Sequence, residues 1–366
     1  MSDADTRYMR EALELGRRAM GNAWPNPAVG CVIVQGDRVV GRGWTRPGGR
    51  PHAEAVALAE AGGAAEGATA YVTLEPCSHH GETPPCAEAL IRAGVARVVV
   101  PIPDSDPRVS GKGLAMLRAA GVEVVEGVLS EEAARDHAGF FLRLTEGRPL
   151  LTLKLATSLD GRIATATGES RWITGPEARA RVQGMRACHD AVMVGAGTAR
   201  ADDPQLTVRD REVPRQPVRV VVSRRLDVPL MSQLARTARE VPVWMCHDPG
   251  ADAALCQAWE GLGATLLPAR LRGQHMDMAS VLRSLGDQGL TRVLCEGGGA
   301  LAASLLQAGL VDELVCFTAG MVIGAEGTPA IGALGLERLG AAPRFQLVSA
   351  EAVGGDIMHR WERVRV

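Results

Sequence analysis

Aromatic side chains are scarce in this chain of 366 residues: Phe, Trp and Tyr together make up 3%. Lysine is nearly absent, with Lys112 and Lys154 its sole positions, so arginine carries almost all the positive charge. The formal net charge is −2 and the pI near 6.5, which speaks against a general nucleic-acid or membrane-binding surface. No apolar run reaches the ~18 residues of a membrane-spanning helix. The start, Met1-Ser2-Asp3-Ala4-Asp5, is acidic where a signal peptide is basic and then apolar, so a cytoplasmic location is expected. Eight cysteines spread over this length do not make the dense framework of a small secreted domain. Reduced thiols and a metal site are expected instead, with Cys31, Cys188, Cys246, Cys256, Cys295 and Cys316 as plain core or surface thiols. What remains is an ordinary globular composition, 46% hydrophobic and 22% charged. Its length suits roughly two domains at ~150 residues each.

Chemistry-bearing residues gather in two short pieces. Pro51-His52-Ala53-Glu54 comes first; Glu75-Pro76-Cys77-Ser78-His79-His80-Gly81-Glu82-Thr83-Pro84-Pro85-Cys86 follows after one helix and one strand. A His, a Glu two residues later, then Pro-Cys and a second Cys form the kit of a zinc deaminase. His52, Cys77 and Cys86 as ligands leave one position of a tetrahedral Zn²⁺ open for water, with one zinc per chain. The metal lowers the pKa of that water toward ~7. Glu54, not a ligand, is then the general acid and base that carries the proton to the ring nitrogen and to the departing ammonia. His79 and His80 lie inside the loop as rival ligands. The plain alternative is three unrelated residues with no metal, since a free Cys usually behaves as a small buried hydrophobe.

Along the chain, apolar spacing predicts a helix from Asp5 to Met20 and a hairpin over Val29–Gly41. Pro51 suits the start of a helix that runs to Ala61. Residues two apart do not share a helix face, so the joint role of His52 and Glu54 rests on the motif. Strands are expected at Ala70–Leu74, Val98–Pro101 and Val122–Val125, with helices from Cys86 to Ala93 and Gly113 to Ala120. Strands alternating with helices predict a three-layer α/β/α domain ending near Gly147. The pattern restarts at Leu150, and residues 148–366 suffice for a second α/β domain. Its strands are expected at Leu150–Ala156, Ala191–Val194, Val218–Val222, Val241–Met245, Arg292–Cys295 and Glu313–Phe317. There Leu294-Cys295-Glu296-Gly297-Gly298-Gly299-Ala300-Leu301 reads as strand, glycine cluster and apolar helix. Backbone amides at Gly298 and Gly299 could approach a pyrophosphate, and a plain tight turn competes with that reading. Arg224-Arg225 follows a strand, where a basic group could hold a cofactor's 2′-phosphate.

Eight residues separate Cys77 from Cys86, where the usual deaminase ending is Pro-Cys-x-x-Cys. The longer form, Pro-Cys-Ser-His-x-Gly-x-Thr-Pro-Pro-Cys, resembles the bifunctional deaminase–reductase family of riboflavin biosynthesis. Three later stretches resemble its reductase half: Lys154–Arg162, Gly168–Thr174 and Gly197–Arg209. The resemblance covers nearly the whole chain. It implies a cytidine-deaminase-like domain over residues 1–147 and a dihydrofolate-reductase-like domain over 148–366. The first would remove the exocyclic amine of a diamino-ribosylamino-pyrimidinone 5′-phosphate; the second would reduce the ribosyl group to ribityl with hydride from NADPH. By position, the resemblance places NADPH contacts on Ala156, Trp172, Thr198, Asp202 and the segment beginning at Gly298. It places substrate contacts on Ser170, Arg186, Leu206, Arg209 and Glu296, and guanidinium groups suit a sugar phosphate. Lys154 and Glu296 are candidates for proton handling in the reductase. The family often has a basic residue at the position of Glu82 and an Asn near Asp106. Both are acidic here; if those positions help hold the substrate phosphate, either deaminase affinity for substrate falls or Lys112 and a nearby arginine compensate.

The partner is thus expected to be a phosphorylated pyrimidine, with no nucleic acid or membrane, in a homo-oligomer. A nucleoside or tRNA deaminase with an appended domain is the rival enzyme, but it calls for a basic stripe and stacking aromatics. A binding protein with structural zinc is the rival of another class. It would need four ligands, and it leaves Glu54 without a purpose.

Overall fold

The first helix is set by its cap. In the computed structural model, which describes residues 2–79, 84–104 and 110–364, α1 (Asp3–Arg17) opens at Ser2. The Ser2 hydroxyl accepts the Asp5 N–H at 3.1 Å and the Asp5 carboxylate accepts the Ser2 N–H at 3.3 Å, a reciprocal capping box. Asp5 does a second job. Arg97 binds it through two nitrogens at 2.8 and 3.1 Å, and the Tyr71 hydroxyl donates to it at 3.1 Å.

The chain then forms β1 (Gly30–Gln35), β2 (Arg38–Trp44), α2 (Ala53–Ala61), β3 (Thr69–Val72), α3 (Cys86–Arg92), β4 (Arg97–Val100), α4 (Lys112–Ala119), β5 (Glu123–Glu126) and α5 (Ser130–Glu146). The sheet order is β2-β1-β3-β4-β5, antiparallel through β2, β1 and β3 and parallel from β3 to β5. One face, with Val32, Val34, Tyr71 and Val99, packs on α1 and on Ala133 of α5. The other, with Cys31, Ile33, Val72 and Val98, packs on α2, α3 and α4. Each fully buried Val or Leu contributes roughly 1.5–3 kcal/mol. These layers form one compact unit, Met1–Gly147, and Arg148–Val366 form another.

Glycines decide how near the helices come. A Cβ on Gly43 would lie 2.0 Å from the Ala53 carbonyl oxygen, and one on Gly41 would lie 2.2 Å from that of Ala57. Residues two apart on a strand share a face, and residues four apart on a helix share a face. Gly41 and Gly43 of β2 therefore receive the alanine stripe of α2 with almost no space between the backbones.

In the second unit the elements are β6 (Leu150–Ser158), β7 (Arg162–Ala164), α6 (Pro176–Ala187), β8 (Ala191–Gly195), α7 (Ala196–Asp202), β9 (Val218–Val222) and α8 (Gln233–Arg236). There follow β10 (Val243–His247), α9 (Ala253–Gly261), β11 (Thr265–Pro268), β12 (Leu271–Arg272), β13 (His275–Met276), α10 (Met278–Asp287) and β14 (Arg292–Gly297). The chain closes with α11 (Gly299–Gln307), β15 (Glu313–Ala319), β16 (Thr328–Pro329), β17 (Phe345–Val353) and β18 (Asp356–Arg363). The main sheet has the order β11-β10-β9-β8-β14-β6-β15-β18-β17, parallel except for the antiparallel pairs β15–β18 and β18–β17. Its start is anchored by Arg148, which grips Asp312 through two bonds of 2.6 and 2.9 Å, both side chains buried. Removing one partner of such a pair costs about 3–5 kcal/mol. Among the described residues no helix is long and apolar enough to cross a membrane.

The strands and helices expected from the sequence are present with ends shifted by one to three residues; Val241–Met245, for example, becomes Val243–His247. Several elements had not been expected from the sequence, among them α5, β17 and β18. On α5 the buried positions are Ala133, His137, Gly139 and Leu142, too small and polar to mark a stripe. Strand β17 is exposed at seven successive residues, so no alternation exists to be read, and its partner β18 went with it.

A test of the close helix–strand approach is Gly43→Ala. It should lower the stability of the first unit by about 1–3 kcal/mol, the usual cost of overpacking, seen as a lower urea midpoint. Gly63→Ala, which meets open space, should stay within ~0.5 kcal/mol of the parent.

Candidate active sites

His52 is the N-cap of α2 and has extended backbone geometry, so helical spacing does not govern it. Its ring turns toward the loop after β3 while Glu54, in the first turn, is buried beside it. Cys77 follows β3, and Cys86 begins α3. The Cys86 N–H donates to Cys77 Sγ at 3.3 Å, and the Ala87 N–H donates to the Cys77 carbonyl at 3.1 Å. These two bonds bring both thiols to one side of the His52 ring: Nδ1 lies 3.3 Å from Cys86 Sγ and 3.7 Å from Cys77 Sγ.

The donors fit zinc. One nitrogen and two sulfurs lie within 4.8 Å of one another. Zn–S and Zn–N bonds of ~2.3 and ~2.05 Å at a tetrahedral angle place donors ~3.6 Å apart, close to both measured separations. The bond from the Cys86 thiol and the proximity of the His52 ring hold the Cys77 thiol down to about 4, so that a thiolate is ready at neutral pH. The same pairing pushes Cys86 up, and the two share one proton. Burial, with the Cys77 charge nearby, pushes the Glu54 carboxyl up to about 6. That is a value suited to both taking and returning a proton. His79 stands outside the cluster, and His80 lies outside the described residues.

A cavity of about 220 Å³ opens over this cluster, walled by His52, Glu54, Cys77, His79 and Asn26 among others. Glu75 shapes its floor. One carboxylate oxygen accepts the N–H groups of Asp104 and Gly111, and the other those of Gly113 and Leu114, at 2.9–3.3 Å. The residue just before Pro76-Cys77 thus ties the chain on both sides of residues 105–109 to the metal loop. Sequence reasoning missed it, since nothing local tells which amides a carboxylate will collect. Lys112 is exposed and is not part of the wall. Glu82 and Asp106 lie outside the described residues.

In the second unit a cavity of about 520 Å³ is lined by Lys154, Ala156, Ser170, Trp172, Arg186, Thr198, Asp202, Leu206, Arg209 and Glu296, all singled out from the sequence. The sheet register explains the central charges. Cys295 of β14 pairs with Leu153 of β6, so the next residues, Glu296 and Lys154, stand side by side on the opposite face. Arg186, from α6, then grips Glu296 through two bonds of 2.5 and 2.9 Å and donates to the Thr207 carbonyl at 2.9 Å. Burial opposes ionisation of Glu296, but Arg186 and Lys154 hold its carboxyl below the ordinary value. Burial pulls the Lys154 ammonium down, with Glu296 acting against that. Arg186 is therefore engaged with Glu296, and Arg209 is the more accessible arginine of the two.

Trp172 is 65% exposed on the cavity wall, with the Arg179 guanidinium 4.5 Å from its ring centroid. It is thus a surface side chain of the cavity and not part of the core. Gly298 has φ 94° and caps α11, and a Cβ on it would lie 3.0 Å from the Thr198 hydroxyl. Gly299 leaves still less room, 2.7 Å from the Pro329 carbonyl oxygen. This cradle of backbone at a helix start fits a pyrophosphate. Arg224 is not on the cavity wall. It lies just past β9, two strands from β14 along the same edge of the sheet, held by Gln274 at 2.8 and 2.9 Å and by Asp248 at 3.5 Å.

Comparison with known proteins agrees with both halves. Residues 2–102 match the cytidine and deoxycytidylate deaminase zinc-binding region, and residues 149–359 match the RibD C-terminal domain. The riboflavin biosynthesis protein RibD of Escherichia coli is 42% identical, the match covering 96% of this chain and 98% of that one. The protein of the same name from Aquifex aeolicus is 39% identical, covering 99% of each. Among solved structures, Acinetobacter baumannii RibD superposes with a TM-score of 0.88 at 39% identity, covering 99% of both chains. A Thermotoga maritima protein, described as a diaminohydroxyphosphoribosylaminopyrimidine deaminase/5-amino-6-(5-phosphoribosylamino)uracil reductase, superposes with a TM-score of 0.86 at 32% identity. A zinc-deaminase region followed by a reductase domain, matched end to end by these relatives, makes the chain a member of the RibD family of bifunctional riboflavin-biosynthesis enzymes.

Proposed function

We propose that the first unit deaminates 2,5-diamino-6-ribosylamino-4(3H)-pyrimidinone 5′-phosphate. The second then reduces the ribosyl side chain of the product to ribityl with NADPH. One observation carries the deaminase reading: two thiols and an imidazole nitrogen converge beside a buried carboxylate on the wall of a cavity. His52, Cys77 and Cys86 would hold the zinc. When bound, the metal supplies an activated water at neutral pH. Glu54 would take one proton from that water for the ring nitrogen and then the remaining hydroxyl proton for the departing amino group, which leaves as ammonia as the ring carbonyl forms. A structural zinc site would leave this buried acid without work, and a tRNA deaminase is not favoured by relatives matched over the full chain.

In the reductase cavity, Ser170, Leu206 and Arg209 would contact the substrate, with Arg186 orienting Glu296. When bound, NADPH supplies the hydride. Lys154, half-buried beside Glu296, would then provide the proton that neutralises the developing alkoxide, for which a lowered ammonium pKa is suited. Ala156, Trp172, Thr198, Asp202, Gly298 and Gly299 would carry the cofactor. From the glycine cradle, an adenosine phosphate laid across β8 reaches the end of β9 over two strand spacings, ~10 Å. Arg224 stands there for the 2′-phosphate. A homo-oligomer in the cytoplasm completes the reading.

Cys86→Ser should show strong loss of zinc on metal analysis; full occupancy would remove Cys86 from the ligand set. Glu54→Gln should keep zinc and fold yet slow ammonia release by ~10²–10⁴, with the reductase unaffected on pre-deaminated substrate. A rate within threefold of the parent would take Glu54 out of the mechanism. Arg224→Ala should weaken NADPH by about tenfold to a hundredfold, matching ~1.5–3 kcal/mol for a charged hydrogen bond, and leave NADH nearly unchanged. Equal weakening of both cofactors would mean the residue acts elsewhere than on the 2′-phosphate.

A further inference from the structure

Two arginines on the wall of the deaminase cavity have no part in the chemistry just described. Arg50 stands two residues before His52, half-buried on that wall. Arg143 comes from α5 and donates through Nη1 to the Pro25 carbonyl at 3.2 Å, Pro25 being another wall residue. Its neighbours on the helix face, Phe140 and Leu144, line the cavity with it. Positions three and four apart share a helix side, so α5 presents one stripe that is apolar with a single cationic group.

The charge around the cavity calls for such groups. Its described carboxylates are Glu54, Glu75 and Asp104, and its arginines are Arg50 and Arg143. Glu75 is taken up by four backbone N–H groups, and Glu54 sits against the thiols. A phosphorylated pyrimidine brings a flat ring, which suits Phe140 and Leu144, and a phosphate of up to two negative charges. Three carboxylates on the wall would repel that group unless cations met it. Guanidinium groups meet phosphate bidentately and lose little order in doing so. His79 adds a second sign of a polar ligand: its Nδ1 is buried on the same wall with no partner among the described residues.

We propose that Arg50 and Arg143 form the subsite that binds the substrate's 5′-phosphate in the deaminase cavity. The inference rests on the deaminase reading and adds to it how a cavity lined by three carboxylates holds a dianion. Arg50 reaches the site from the segment that carries His52, so phosphate binding there sets the ring's distance from Glu54. Arg143 closes the site from α5.

The test uses the full-length zinc-loaded chain and follows ammonia release, with ribose 5-phosphate and ribose as competing probes. Ribose 5-phosphate should inhibit the parent enzyme far better than ribose. Arg50→Ala and Arg143→Ala should each raise KM about tenfold to a hundredfold, with the effect falling on KM more than on kcat. Ribose 5-phosphate inhibition should weaken in parallel and ribose should be unaffected. Lysine in place of either arginine should restore part of the loss. Zinc content and reduction of pre-deaminated substrate report on folding in the same preparations. The proposal is overturned if KM in the double alanine variant stays within twofold of the parent. It is equally overturned if ribose and ribose 5-phosphate inhibit the parent alike, a comparison that needs no variant to fold. No ammonia from the parent enzyme would sink the deaminase reading itself, whereas normal turnover with an unmoved KM sinks the phosphate subsite alone.

Discussion

The nearness of α2 to β2 governs the deaminase half. Backbone contact at Gly41 and Gly43 leaves no freedom for the helix to slide or lift, since the alanine carbonyls already occupy the space a Cβ would need. The helix start is therefore fixed against the sheet, and with it His52 and Glu54. A zinc deaminase tolerates little error there, because the imidazole must meet two thiols while the carboxylate two residues on faces the substrate. Rigid elements hold such constellations better than loops do. The small residues of α2 are thus part of the chemistry, although none of the alanines touches the reacting atoms.

The metal loop is steadied differently. Cys77 lies on irregular chain between β3 and α3, and irregular backbone needs partners for its polar groups. Its position is taken up by the N–H groups of Cys86 and Ala87 on one side and, two residues earlier in the chain, by Glu75 gathering the amides of Asp104, Gly111 and the first turn of α4. A buried carboxylate is costly without such partners and stabilising with them. One side chain thereby links the loop of Cys77 to the chain at Asp104 and at the start of α4.

Charge is organised by the same logic in the reductase half. Lys154, Glu296 and Arg186 form one compact group of two cations and one anion, with Arg186 paired to Glu296 through both carboxylate oxygens. This lets an ammonium sit at reduced pKa without being quenched by a dedicated partner. The glycine cradle at the start of α11 belongs to the same edge of the sheet. Parallel strands deliver all their carboxyl ends to one side, where the helices that follow them begin. The zinc region needs only the start of a helix and one loop; the reductase needs that whole edge.

What the sequence determined by itself is what is local. His52, Glu54, Cys77 and Cys86 could be named because a helix start and a short loop hold them, and residues so close along the chain have few ways to meet. The break at Gly147 and Arg148 was legible for the same reason, as a polar turn between two apolar patterns. The tertiary structure alone decided the rest. Lys154 meets Glu296 because of ladder register between strands far apart in the chain, and no local pattern encodes register across so long a separation. Arg186, expected to face a phosphate, is turned onto Glu296 by the packing of α6. Arg143 reaches the deaminase cavity from a helix whose small and polar buried face concealed even its existence. Pairings of this kind follow from how a whole core closes, since burial fixes which faces must meet and only then which side chains stand opposite one another.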